Sequence, residues 1–193
     1  MQIKKKLTMD DFVEMYHLEK QFYEEDHITP PEETYRWYLC YPNFSTVLED
    51  QGKIIGFLDM FPIKETIFQK IRKGTFNDSN LTAEGIQDIG EMRAGERVNM
   101  FLCCVIVDKA YRKTQALQMM IKAQVEYYQQ FLDRGIEIES MITDNVTGSG
   151  ENFSKRMGFK KVTDTLFNSV IYMQKYKDFI KNALGTGENS VLT

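Results

Sequence analysis

The chain has 193 residues, of which 42% are hydrophobic and 27% are charged. These proportions are typical of a soluble globular protein and exclude collagen-like and intrinsically disordered classes. The formal net charge of −4 argues against nonspecific binding to nucleic acid or to an anionic membrane surface. The length predicts one domain over residues 1–184, followed by a flexible tail at 185–193.

Cysteine and histidine are scarce, with three and two residues respectively. An odd number of cysteines, two of them adjacent in an apolar stretch, predicts no disulfide framework and favours a reducing, cytoplasmic compartment. Two histidines give a zinc site few ligands, so we expect no metal. The basic N-terminal segment has no apolar stretch behind it, and no apolar run approaches 18 residues. We therefore expect neither export nor a membrane span.

The first part of the chain predicts a strand, two helices and a β-hairpin. Thr8 followed by Asp11 resembles a capping box, which marks the start of the first helix. A glycine-containing turn joins the two hairpin strands. In chain order these elements are a strand at 2–7, a helix at 10–23, a helix ending near Pro42, and strands at 46–49 and 54–61.

Residues 64–97 form a longer connection that contains four glycines. Leu81, Ile86 and Ile89 are spaced so that they can anchor a short helix or turn onto the body of the domain. We therefore predict an ordered insertion rather than a linker. Its position suits either a cover over a binding pocket or a dimer contact.

The segment 98–135 predicts a buried strand, a basic turn and an amphipathic helix. The apolar run 101–107 is too short for a typical helix, and an apolar stripe at helical spacing then continues until Gly135. The first turn of a helix offers unpaired N–H groups, and Arg112 and Lys113 add positive charge there. The segment therefore indicates an anion site, with an ordinary strand–helix unit and a solvated turn as the alternative.

The last part of the chain predicts a strand at 136–143, a strand at 166–173 and a polar helix at 175–184. Asp144 and Asn145 follow the first of these strands. A carboxylate at this place can act as a base through water, or it can be a turn residue that bonds its own backbone.

Two stretches resemble motifs of the GNAT acetyltransferase superfamily. VIVDKAYRKTQALQMM is similar to motif A, and TGSGENFSKRMGFKKV is similar to motif B. The resemblance implies an α/β (α+β) fold, with one GNAT-like domain and a mixed, mostly antiparallel central sheet. Helices flank this sheet, and its two central strands splay apart.

The resemblance also implies an N-acetyltransferase that uses acetyl-CoA as co-substrate and transfers the acetyl group by direct attack. The acceptor would be a small-molecule or peptidyl amine, and a homodimer is compatible with the family. Ser154 and Asp144 are the candidate catalytic residues. The cofactor-binding candidates are Val105, Ile106, Val107, Arg112, Lys113, Thr114, Gln115, Ala116 and Leu117.

An acidic loop lies between the first two predicted helices, where the family commonly borders the acceptor. Such a cluster would attract a cationic amine, although a solvated charge run is the alternative. Its members are Glu24, Glu25, Asp26, Glu32 and Glu33.

The sequence departs from the family pattern at four places. Gln115 and Leu117 stand where the family usually has glycines, Ser154 stands where it often has a tyrosine, and Thr147 stands where it frequently has an asparagine. These departures leave two other hypotheses open. One is a catalytically inactive GNAT-like binding or regulatory module, and the other is an unrelated β-sheet fold.

Overall fold

The protein is described from a computed structural model over residues 1–185. The predicted flexible tail, apart from residue 185, lies outside the described residues. Within them, seven strands form one sheet. The strands are β1 (Gln2–Ile3), β2 (Ser45–Asp50), β3 (Lys53–Ile63), β4 (Arg97–Val107), β5 (Glu137–Asn145), β6 (Lys160–Asp164) and β7 (Val170–Lys175).

Six α-helices flank this sheet in the described part of the chain. None of them is long and apolar enough to cross a membrane. The helices are α1 (Met9–Glu19), α2 (Pro31–Cys40), α3 (Glu65–Arg72), α4 (Ala116–Asp133), α5 (Gly148–Arg156) and α6 (Tyr176–Ala183).

The sheet has the order β1-β2-β3-β4-β5-β7-β6. Only the β4–β5 pair is parallel among the pairs within residues 1–185, and every other pair is antiparallel. The helix α4 makes the crossover between these two strands, as a parallel connection requires. The predicted class, with a mixed and mostly antiparallel sheet flanked by helices, is confirmed.

The two parallel strands separate halfway along their length. They pair from Arg97 opposite Glu137 to Phe101 opposite Ile142, and the pairing then stops. Beyond this point β4 continues beside β3, whereas β5 continues beside β7. The predicted splay of the central strands is therefore present, and the described fold opens a cleft between them.

A β-bulge in β4 lies at the start of this cleft. Asp59 of β3 is opposite Cys104, whereas the next residue, Met60, is opposite Leu102, so that Cys103 is the extra residue. A bulge interrupts the alternation of side chains along a strand. As a consequence, Cys103 and Cys104 both lie on the face of the sheet that packs against α1 and α2.

The two faces of the sheet bury separate hydrophobic clusters. Helices α1, α2 and α3 cover one face with side chains that include Phe12, Trp37 and Phe68. Helices α4 and α6 cover the other face, where Met120 and Phe179 are buried. The sheet is thus enclosed on both sides, which explains why β3 and β4 read as almost continuous apolar runs.

Local signals in the sequence account for several element boundaries. The Thr8 backbone N–H donates to the Asp11 carboxylate over 2.8 Å at the start of α1, as the capping-box pattern predicts. Gln51 and Gly52 form the β2–β3 turn with φ values of 51° and 79°. Gly135 ends the α4 segment at a φ of 84°, a conformation that glycine adopts without strain.

The connection at 64–97 is ordered and packs against the domain. It contains α3, which the sequence reading did not predict, followed by two short 3₁₀ turns. Leu81, Ile86 and Ile89 are buried, as their spacing predicts. Ile86 forms an isolated bridge with Ile63, which fixes the segment to the end of β3.

The last predicted strand begins later than expected. We predicted a strand from residue 166, but Leu166 is 81% exposed and β7 starts at Val170. Thr165 and Ser169 hydrogen-bond each other through their hydroxyls over 2.7 Å, and together they close the turn that joins β6 to β7. Side-chain bonding within a turn therefore shortens the strand.

Candidate functional site

A cavity of about 760 Å³ occupies the cleft between β4 and β5. Its volume lies in the range of small-molecule and cofactor sites. Residues of α1, α2, β3, β4, α4, β5 and α5 line it, together with the loops that follow α1 and α3. The cavity therefore collects residues from distant parts of the chain at the point where the sheet opens.

Three basic side chains contribute to the wall of the cavity. Arg112 comes from the turn before α4, whereas Lys155 and Arg156 come from the end of α5, where Lys155 also pairs with Glu151 over 3.2 Å. The Arg112 Nε donates to the Val107 carbonyl oxygen over 3.3 Å, and its guanidinium lies 4.8 Å from the centre of the Phe22 ring. These contacts hold a positive charge beside the end of β4.

The cofactor-binding candidates divide into those that line the cavity and those that do not. Those that line it are Val105, Ile106, Val107, Arg112 and Leu117, whereas Lys113, Thr114, Gln115 and Ala116 do not.

The Leu117 side chain also packs against the buried cluster under α4. Ala116 is completely buried, and the Ala116 backbone N–H donates a hydrogen bond to the Thr114 hydroxyl over 3.2 Å. These two residues therefore shape the start of α4. Lys113 and Gln115 are exposed at the same turn.

The edge of β4 that faces the cavity has no strand partner after Phe101 within the described residues. On the side away from β3, the backbone N–H and C=O groups between Leu102 and Val107 therefore have no neighbouring strand to bond. Buried backbone donors need partners, and a bound group that carries carbonyl or amide functions would supply them. Helix α4 begins at the same end, where its first turn has N–H groups without intrahelical acceptors.

A second part of the cavity wall is acidic. Four carboxyl side chains, here called the carboxylate chamber, line it from four different segments of the chain. They are Glu19 of α1, Asp59 of β3, Asp78 of the connection after α3, and Asp144 of β5. The chamber lies at the level of Cys104, because Asp59 is opposite Cys104 and the Cys104 thiol donates to the Glu19 carboxylate over 3.4 Å.

Burial raises the pKa values of all four groups. Burial and the neighbouring Asp59 raise the pKa of Glu19 to about 8. Burial raises the pKa of Asp59 to about 7, and burial together with Asp144 raises the pKa of Asp78 to about 7. Burial also raises the pKa of Asp144, although Ser169 and His27 oppose this effect. The chamber thus holds carboxyl groups that ionise near neutral pH.

The two cysteines of β4 border the chamber as neutral thiols. Burial, followed by the negative field of the nearby carboxylates, raises the pKa of both Cys103 and Cys104 well above the ordinary value. The thiolate is the nucleophilic form of cysteine. Neither residue is therefore suited to form a covalent intermediate.

The two catalytic candidates from the sequence occupy different environments. Asp144 lines the cavity and is 9% exposed. Ser154 is fully buried and donates through its hydroxyl to the Asn145 side-chain oxygen over 3.1 Å, and it does not line the cavity. Its contact ties α5 to the end of β5.

The acidic loop residues identified in the sequence do not line the cavity. Glu25 instead bonds Tyr16 and Lys20 at the surface. Glu33 bonds Trp37 and Arg36. The negative charge at the cavity comes from other residues.

Sequence reasoning missed three of the four chamber residues. Asp59 interrupts the apolar run of β3, and a lone acid inside a buried strand is a signal that was available. Glu19 continues the buried face of α1 four residues after Met15, which is a weaker signal. Asp78 lies in the connection after α3, where the sequence carries no pattern.

Comparison with known proteins shows similarity at the level of structure. Neither a protein-family model nor a curated protein sequence matches this chain. Solved structures, in contrast, match it over most of its length at low sequence identity. Three of them illustrate the range.

A GNAT-like decarboxylase, GphF, in complex with isobutyryl-CoA aligns with a TM-score of 0.60 at 15% identity, over 91% of this chain and 99% of that chain. Naa20 of Chaetomium thermophilum, in complex with a bisubstrate analogue, aligns with a TM-score of 0.59 at 14% identity, over 94% of this chain and 90% of that chain. The PaiA N-acetyltransferase of Thermoplasma acidophilum, in complex with coenzyme A, aligns with a TM-score of 0.55 at 14% identity, over 91% of this chain and 100% of that chain.

Proposed function

We propose that this chain, which has the GNAT fold, is an acyl-CoA-dependent N-acyltransferase that transfers an acetyl group to an amine by direct attack. The fold is the one that the resemblance implies. At identities near 15% the likeness carries no further than the fold. The function rests on the site.

The observation that carries the proposal is the opposite charge at two places along β4 in one cavity. Arg112 lies beside Val107, whereas the carboxylate chamber lies at the level of Cys104. Along β4, Val107 beside Arg112 and Cys104 beside the chamber are three residues apart, roughly 10 Å. Such a cavity suits two substrates of opposite charge that meet between these two places.

The basic part of the cavity wall fits the phosphates of an acyl-CoA. Arg112 and the first turn of α4 would bind the pyrophosphate, and Lys155 and Arg156 would add charge from the end of α5. The open edge of β4, from Val105 to Val107, would hydrogen-bond the pantetheine arm and the thioester oxygen. Acyl-CoA supplies an acyl group activated as a thioester.

Leu117 is the residue that most restricts this fit. It lines the cavity at the start of α4, where the family usually has a glycine, and it keeps its side chain against the core. The phosphates would therefore rely on Arg112 and on the exposed part of the turn more than on close contact with bare backbone.

The acidic part of the cavity wall fits an amine and a base. An amine attacks a thioester only when it is neutral, so its ammonium form must lose a proton near the reaction centre. Glu19 is suited to accept this proton, because its pKa of about 8 lies close to the pH at which enzymes operate. The carbon–nitrogen bond then forms as the carbon–sulfur bond breaks, and CoA leaves as a thiol once its sulfur is protonated.

The likeness to a GNAT-like decarboxylase raises a second reaction class. A decarboxylase of this kind would have to hold an acyl group that carries a carboxylate beside the thioester. The chamber around Glu19, Asp59 and Asp144 disfavours this, since a further negative charge would lie among like charges at low dielectric. The amine acceptor therefore agrees better with the site.

The assay for the proposal follows the release of free CoA thiol from acetyl-CoA with a panel of amines, and it identifies the product by mass spectrometry. We expect amine-dependent thiol release and an N-acetylated amine. A protein that binds CoA yet acylates no amine in the panel would instead agree with the inactive binding or regulatory module.

A further inference from the structure

The carboxylate chamber contains more negative charge than a single amine requires. Within residues 1–185, none of Glu19, Asp59, Asp78 and Asp144 forms an ion pair with a lysine or arginine. Buried charges are usually paired, because an unpaired one costs several kcal/mol of desolvation. His27 lines the same cavity and lowers the pKa of Asp144, whereas Glu19, Asp59 and Asp78 have no cationic partner within the described residues.

Two atoms of the chamber point specifically to a bound ligand. The Oδ1 atoms of Asp59 and Asp144 are buried without a hydrogen-bond partner in the described part of the molecule, although the Ser45 and Ser169 hydroxyls lie close enough to lower the pKa values of the two groups. The two residues are only 6% and 9% exposed, and both line the cavity. Buried polar atoms are nearly always satisfied, so a ligand with N–H donors would complete both.

The arrangement favours an organic cation over a metal ion. No three His, Cys, Asp or Glu side chains in the described residues converge closely enough to ligate one ion. The carboxylates nevertheless act on one another electrically, since Asp59 raises the pKa of Glu19 and Asp144 raises that of Asp78. Four carboxyl groups that interact in this way suit a cation that carries more than one ammonium group.

We propose that the acceptor is a short aliphatic di- or polyamine. Its reacting amino group would lose its proton at Glu19, beside Asp59 and the open edge of β4. A second ammonium would lie between Asp78 and Asp144. This assignment rests on the proposed acyltransferase function and names its acceptor class.

The test titrates the purified full chain with 1,4-diaminobutane and with n-butylamine at pH 8, in the absence of CoA, by calorimetry. The two compounds share an apolar chain and differ in one ammonium. We expect the diamine to bind at least tenfold more tightly than the monoamine. Equal affinities would overturn the proposal, because the second ammonium would then have no partner.

A variant locates the second charge. Asp144→Asn should reduce the preference for the diamine to threefold or less, while Glu24→Gln, which changes an exposed acid outside the cavity, should leave it unchanged. Retention of the full preference in Asp144→Asn would overturn the placement. Thermal melts of both variants check that they fold. If a variant does not fold, the difference in affinity between the two amines, measured on the unaltered chain, still tests the proposal.

Three further titrations, with magnesium, with acetyl-CoA and with a competing peptide, separate the possible failures. Tight binding of magnesium that is lost in Asp144→Asn would assign the chamber to a metal and overturn the amine. Binding of acetyl-CoA without any binding of diamine would overturn only the acceptor. If acetyl-CoA itself does not bind, the acyltransferase function fails independently of the acceptor. A peptide with a free N-terminus that outcompetes the diamine would replace it as the acceptor class.

Discussion

Replacement of Asp59 by asparagine should change the free energy of unfolding, relative to the unaltered protein, more favourably at pH 8 than at pH 5. The pKa of Asp59 is raised by burial from 3.8 to about 7 in the folded state. The folded state therefore binds the proton more tightly than the unfolded chain does. Stability falls as the pH rises through the window from about 3.8 to about 7, and asparagine, which does not titrate, removes this loss.

The magnitude follows from the part of this window that lies above pH 5. Two pH units at 1.36 kcal/mol each give roughly 3 kcal/mol of differential stability between pH 5 and pH 8. For a chain of this length the effect corresponds to a relative rise in Tm of roughly 5–10 °C. Any cost of the amide itself is present at both pH values, so it cancels in the difference.

The assay is denaturant unfolding of both proteins at pH 5 and pH 8, with Asp26→Asn as a control at an exposed acid outside the cavity. We expect the difference in unfolding free energy to grow with pH for Asp59→Asn and to stay constant for the control. A parallel pH dependence in Asp59→Asn and the unaltered protein would refute the view that Asp59 is a buried, unpaired carboxyl group.

Three further outcomes follow from the same site. Glu19→Gln should lower kcat by about 10²- to 10³-fold, with partial recovery at high pH where the amine is already neutral, and a loss below threefold would exclude Glu19 as the base. Asp59→Asn should move the acidic limb of the rate profile to lower pH, because the charge of Asp59 raises the pKa of Glu19; an unmoved limb would contradict their coupling. Cys103→Ala should keep activity within a few-fold, and intact-mass spectrometry should detect no acyl-enzyme, since the thiols are neutral.

The sequence was sufficient to predict the framework around the cavity. The apolar run of β4, the basic turn at Arg112 and the stripe of α4 are local patterns, and the structure contains each of them. Their side-chain periodicities of 2 and 3.6 residues do not depend on distant contacts. The resemblance to motifs A and B then supplied the mixed, mostly antiparallel character of the sheet and its splay.

The carboxylate chamber could not be predicted from the sequence, for physical reasons. The bulge at Cys103 depends on how β4 is paired with β3, and a single sequence does not contain that register. Asp78 reaches the cavity through a connection whose path follows from packing rather than periodicity. The acids that follow α1 were the more visible cluster in the sequence, but none of them lines the cavity, and Glu25 and Glu33 bond other side chains instead.

The central claim is that the basic part of the cavity wall binds an acyl-CoA, and calorimetric titration with acetyl-CoA tests it most directly. Arg112→Glu and Lys113→Glu form a matched pair, because they reverse adjacent charges equally and only Arg112 lines the cavity. We expect micromolar binding, lost at least tenfold in Arg112→Glu and little changed in Lys113→Glu. Absence of binding at millimolar acetyl-CoA, or equal losses in the two variants, would contradict the account.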